Sequence, residues 1–113
     1  MMNIYDKAHE LARALKGSPE VIELNKASKK VEENEKNKKM LQDFRKLQFE
    51  AYNEQMQKGK LSEETEKKLQ GLGAVISMNP EVGRYLQAEA RFAVIWEDIM
   101  KILNEAIDVK TQL

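Results

Sequence analysis

His9 is the only histidine of the chain, and Glu89 is the carboxylate that interrupts its cleanest apolar stripe. An imidazole can ligate a metal or move a proton near neutral pH. A carboxylate can serve as a general acid when a second carboxylate, a histidine or a nucleophile completes the site. Neither residue has such companions at a useful spacing. His9 stands one step off an apolar helix face and reads as a surface residue. Glu89 on an apolar seam costs free energy unless it is paired or reaches water. Its expected role is to pair with Arg45 or Lys38 at the seam's edge and fix helix register. A polar contact to a protein partner or ligand is the alternative. "QGLGAV" at 70–75 contains G-x-G but lacks the further glycine and the Lys-Ser/Thr of a phosphate loop, and it lies inside a helical pattern. Close approach of a second helix, or a soft point in this one, is the expected reason for its glycines. The lysine pairs at 29–30, 38–39 and 67–68 are interleaved with glutamates, as solvated faces with i,i+4 pairing would be.

Composition narrows the function classes in the same direction. Nineteen Lys and Arg balance nineteen Asp and Glu, so no net field attracts nucleic acid or acidic lipid. Basic stripes with stacking aromatics are absent, and direct nucleic-acid binding is not expected. The chain has no cysteine, which excludes disulfides, thiolate metal sites and thiol nucleophiles. "MMNIYDKAHE" does not read as a secretory signal, and the longest apolar run, "FAVIW" at 92–96, is far short of a membrane span. The expectation is a cytoplasmic helical protein forming one domain over 1–113, with no catalytic residue, no metal and no cofactor.

The elements that would position any site read as four helices. Asn3 caps the first, with Ile4, Ala8, Leu11, Ala12 and Leu15 on one face, and Lys16-Gly17 closes it. "SPEV" at 18–21 and "NPEV" at 79–82 place a capping residue, a proline at the first helical position and a glutamate against the dipole. They are read as one helix-start device used twice rather than as an internal repeat. The helix opened by Ser18 shows no stop before Gly59. If continuous, its roughly 39 residues span about 58 Å at ~1.5 Å each, more than the ~34 Å diameter of a compact domain of this size. Protrusion onto another subunit is the expectation, and a bend near Asn34 and Asn37 the alternative. Ser62 starts a third helix, and the fourth runs from Pro80 to about Lys110. Its stripe, Leu86, Ala93, Trp96, Met100, Leu103 and Ile107, has coiled-coil spacing, and Tyr85, Phe92, Ile95, Ile99, Ile102 and Ala106 widen it beyond what one neighbour covers.

"NIYDKAHELARAL", "SPEV" before a long helix, "DFRKLQ" within it and "NPEVGRYLQAEARF" at the last helix resemble the YlbF/YmcA family of bacterial proteins, its YheA-like branch most of all. The resemblance covers essentially the whole chain and rests on helix patterns in order, not on catalytic signatures. It implies a small all-helical cytoplasmic protein that self-associates. Better-studied relatives are regulators that work in a multi-protein complex with an RNA-degrading endonuclease and are associated with a cysteine-held iron–sulfur cluster. Without cysteine, this chain cannot hold such a cluster in that way.

The fold expected is therefore all-α, with four helices including one very long one and a bundle completed by self-association. The function expected is that of a non-enzymatic regulator or scaffold acting through helix-mediated protein contacts. Its partners would be copies of itself, as a dimer or higher oligomer, and bacterial regulatory proteins. The oligomer interface would include Phe44, Leu47, Leu86, Glu89, Phe92, Trp96, Met100 and Leu103. An accessory factor of RNA-processing machinery and a small-ligand-binding helical protein are the alternatives.

Overall fold

The computed structural model describes residues 3–108, and every regular element in that range is a helix. α1 spans Ile4–Lys16, α2 Pro19–Glu32, α3 Glu35–Lys58, α4 Glu63–Ser77 and α5 Pro80–Ile107. The all-α reading holds, but the described residues form five helices, not four.

The difference is Asn34. Its backbone leaves the helical region (φ −123°, ψ 112°), and its side-chain oxygen accepts from the N–H groups of Lys36 at 3.0 Å and Asn37 at 3.2 Å. An asparagine side chain offers the backbone an alternative to the next helical bond. In "EENEKNKK" at 32–39 no apolar side chain holds the turn against a neighbour, so the cap prevails. The bend read as the alternative is thus the outcome. α3 has 24 residues and is only about 36 Å long, so the argument from an over-long helix to a second subunit falls away.

The other helix starts are where the sequence put them. Asn3 accepts from Tyr5 and Asp6 N–H, Ser62 from Thr65 N–H, and Asn79 from Val82 N–H at 3.1 Å. Ser18 is a longer cap, accepting from Val21 N–H at 3.4 Å while its hydroxyl donates to the Leu15 carbonyl at 2.6 Å. Ser18 therefore closes α1 and opens α2 at once. Pro19 and Pro80 both occupy the first helical position, so the repeated Pro-Glu-Val stretch is a shared start device. Gly59, at φ 76°, ends α3 in the left-handed region that a side chain would strain. α5 ends at Ile107, and Lys110, its expected last turn, lies outside the described residues.

The chain divides into two compact units, Met1–Asn25 with Leu86–Leu113, and Lys26–Tyr85. The second has a core of Ala27, Val31, Leu47, Ile76 and Val82, and in it α3 packs against α4. Two polar devices hold it. Asn37 is buried, and its side-chain oxygen accepts from the Asn79 amide at 2.7 Å. Asn79 thus caps α5 with its oxygen and ties α3 with its nitrogen, which also points at the Met40 sulfur, 3.7 Å away. At the other end of α3, Glu54 accepts from Ser62 N–H at 2.8 Å and from the Thr65 hydroxyl, fastening the start of α4. The Arg45 guanidinium lies 5.9 Å from the Tyr85 ring centre, a weaker cation–π link between α3 and the first turns of α5. The first unit is different in kind. Among its described residues only Ala88 is buried.

Two predictions follow from these devices. Asn79→Ala should cost about 1 kcal/mol for the cap and about 1–3 kcal/mol more for the orphaned Asn37 oxygen, against about 1 kcal/mol for Ser18→Ala; Asn79→Asp keeps the cap and should lose only the second part. Denaturant midpoints of the three variants check this ordering. The Ser62 N–H, then the Thr65 hydroxyl, hold the Glu54 carboxyl below its ordinary value of 4.5. A depressed carboxyl contributes stability that is present above the unfolded value and lost as pH falls through the folded one. Glu54→Gln should therefore flatten the loss of melting temperature below about pH 4.5, relative to the unaltered chain.

Candidate functional site

The helix faces left uncovered are the features from which a functional surface can be built. α1 carries Ile4, Leu11 and Leu15 along one side, the periodicity of a buried face, yet none of its residues is buried. Ile4 is 80 % exposed, and Tyr5 beside it is open as well. A helix of 13 residues is marginal in water unless an apolar face is packed.

α5 repeats the pattern over a greater length. Its stripe runs through Phe92, Trp96, Met100, Leu103 and Ile107, a rise of about 22 Å at ~1.5 Å per residue. The Phe92 and Trp96 rings sit 6.0 Å apart, tilted by 37°, and form one aromatic step. Trp96 is 48 % exposed, and Leu103 and Ile107 are similarly open. Ile102 and Val94 extend the apolar surface to either side.

The residues expected at an oligomer interface thus divide. Leu86, Glu89, Phe92 and Met100 are half-buried on α5, while Trp96 and Leu103 are exposed. On α3, Phe44 is half-buried and Leu47, at 7 % exposure, is part of the second unit's own core. Lys38 pairs with Glu32, 3.5 Å away across the Asn34 break. Arg45 donates to Gln48 at 3.4 Å. Sequence reading placed Ile102 on the widened α5 stripe but did not single out Ile4, Tyr5 or Val94 as accessible, because periodicity marks a face without saying whether the same chain covers it.

In the second unit α3 and α4 leave a shallow groove of about 710 Å³ beside the first turns of α3. Lys36, Lys38 and Lys39 border it, and Met40, Leu72 and Val75 supply its apolar lining. The groove continues past Asp43 and Leu72 toward Lys46, Glu50 and Lys68. The lysine pairs behave as solvated faces: Lys39 pairs with Asp43 at 3.6 Å and Lys68 with Glu64 at 3.3 Å, both at i,i+4 and both exposed. His9 is exposed on α1, and among the described residues no group of three or more His, Cys, Asp or Glu could hold a metal ion. No described helix is long and apolar enough to cross a membrane.

Residues 4–108 match the family model described as control of competence regulator ComK, YlbF/YmcA. The chain belongs to the YlbF/YmcA family. A UPF0342 protein of Clostridium tetani is 66% identical over 108 residues, covering 96% of this chain and 93% of that one. A UPF0342 protein of Caldicellulosiruptor saccharolyticus is 41% identical over 113 residues, covering 100% and 94%. Two solved structures share the fold. One is a protein of unknown function (DUF964) from Bacillus stearothermophilus, at a TM-score of 0.75 and 18% identity, covering 93% of this chain and 92% of that one. The other is YheA from Bacillus subtilis, at 0.65 and 23%, covering 95% and 97%. The family is described by its link to a regulator, not by a reaction.

Of the two reasons expected for the glycines of "QGLGAV", close approach of a second helix is not found among the described residues. A Cβ built on Gly71 or Gly73 meets nothing within 4 Å, so no described helix approaches closely there. Both lie inside α4, where glycine costs backbone entropy without a steric return. Gly71→Ala and Gly73→Ala should each raise stability by about 0.5–1 kcal/mol, read as an upward shift of the thermal midpoint.

Proposed function

We propose that this protein is a non-enzymatic cytoplasmic regulator or scaffold that works through helix-mediated protein contacts, beginning with contacts to copies of itself. The observation that carries the reading is the state of the first unit. α1 and the distal part of α5 present apolar stripes at helical period, yet Ala88 is the sole buried residue among those described there. Apolar area of this kind contributes roughly 25 cal/mol per Å² once it is removed from water, and a protein surface that keeps it open marks an interaction site. Trp96, Phe92 and Leu103 are the anchors such an interface would use, since large aromatic and aliphatic side chains dominate association energy.

The regulatory part of the reading draws support from the family's description in terms of a competence regulator. The balanced charge of the chain favours protein partners over nucleic acid. The half-buried Glu89, flanked on α5 by Leu86 and Phe92, fits the part of a polar residue that selects one helix register over others.

Sedimentation equilibrium at micromolar concentration should give at least twice the 13.1 kDa mass of the chain. Trp96→Glu and Leu103→Glu, both at exposed positions, should leave the helical circular-dichroism signal in place and shift the equilibrium toward monomer by tenfold or more. A monomer at that concentration for the unaltered chain overturns the reading.

A further inference from the structure

The far end of α5 and the groove beside α3 have opposite electrostatic character, and each leaves apolar side chains in water. From Glu97 to Asp108 the sequence places Glu97, Asp98, Glu105 and Asp108 against Lys101 alone. The last turn of α5 has no basic residue. A helix C-terminus already carries partial negative charge on its unpaired carbonyls, and carboxylates there add to it. On one stripe of this end Asp98, Ile102 and Glu105 follow at i, i+4 and i+7, and Ile102 is 64 % exposed. Leu103 and Ile107 extend the apolar surface beside that stripe.

The groove supplies the complement. It opens at the N-terminal turns of α3, the positive end of that helix dipole, where Asn34 caps the Lys36 and Asn37 N–H groups and Glu35 also lines the groove. Lys36 and Lys39 lie at i and i+3 along it, Lys38 is adjacent, and Met40 sits between Lys36 and Asp43 on the same stripe. Val75, 51 % exposed, and Leu72 face it from α4. The ion pairs made by Lys38 and Lys39 are solvent-exposed, at 3.5 and 3.6 Å. Exposed pairs of this kind contribute little, so exchanging them for a partner's carboxylates costs little.

We infer that the C-terminal end of α5 in one copy of this chain docks into the α3–α4 groove of a second copy, Ile102 entering over Met40 and Val75 while Asp98 and Glu105 meet Lys36 and Lys39. This rests on the self-association proposed above and names where one part of that contact falls. It explains why an acidic, apolar helix end and an apolar groove in which Lys36, Lys38 and Lys39 outnumber Glu35 and Asp43 occur in a chain with no net charge. In a symmetric pair the contact forms twice, so each substitution acts twice.

The test is a charge exchange in the full-length chain, followed by sedimentation equilibrium at low salt. One variant carries Lys36→Glu with Lys39→Glu, the other Asp98→Lys with Glu105→Lys. All four positions are exposed, and circular dichroism confirms that both variants remain helical. Each alone should associate at least roughly tenfold more weakly than the unaltered chain, because like charges then face each other at both contacts. Mixed one to one, they should recover association, since every groove again meets an end of opposite sign. Variants that associate as the unaltered chain does, or that are weakened without recovery on mixing, overturn the inference. If Trp96→Glu still yields monomers in that case, self-association stands and only this docking fails; if the unaltered chain is itself monomeric, both fail.

Discussion

The Asn79 side chain is shared between two helices, and much of the second unit's geometry depends on that sharing. Its oxygen takes the Val82 N–H at the start of α5, and its nitrogen reaches the buried Asn37 oxygen in the first turns of α3. Asn37 has a place to be buried only because Asn34 ends the preceding run and restarts the helix three residues earlier. Were α2 and α3 one continuous rod, the side chain at 37 would be carried by a different helix axis. Two asparagines that are poor helix formers thus set where α3 begins and what its beginning touches. A buried amide pair is costly when half-made and specific when complete. It selects one arrangement of α3 and α5 in a unit whose apolar core has few members.

The small core sets the terms for everything else. Val31 and Val82 are almost fully enclosed, and Ala27, Leu47 and Ile76 nearly so. Many larger apolar side chains, including Trp96, Tyr52 and Phe49, stay substantially open. Among the described residues of the first unit only Ala88 is comparably enclosed, although the stripes of α1 and α5 are more regular than those of α2 or α3. Regular periodicity is what selection for burial leaves in a sequence. The described residues leave that face bare, and this is the observation on which the proposed protein contacts rest.

Helix starts were legible in the sequence to a degree that helix continuity was not. Asn3, Ser18, Ser62 and Asn79 each declare themselves by residue type, by an acid in the first turn and, twice, by a following proline. Asn34 has the same chemistry but no proline and no change of pattern around it, because "EENEKNKK" is polar on every side. A periodic reading has nothing to phase on there, so it runs through the break. Burial was the second blind spot. Leu47 and Phe44 belong to one stripe in the sequence, yet Leu47 is core and Phe44 is half-open. Glu54 was invisible for another reason: its partners, Ser62 and Thr65, lie across a turn, and only the folded hairpin brings them to it.

The charges make the same point about scale. Summed over the chain they cancel, which argues against a partner defined by one sign of charge, such as nucleic acid. Resolved along the helices they do not cancel. The far end of α5 is acidic where its backbone dipole is already negative, and the first turns of α3 are basic where the dipole is already positive. At the end of α5 this placement opposes the usual stabilisation of a lone helix, whereas at the start of α3 Glu35 complements the dipole and Lys36, Lys38 and Lys39 oppose it. It becomes favourable only when the two ends meet, and exposed Ile102 and Val75 lie where that meeting would exclude water. In the docking proposed above, that local cost within each chain would give the contact between chains its direction.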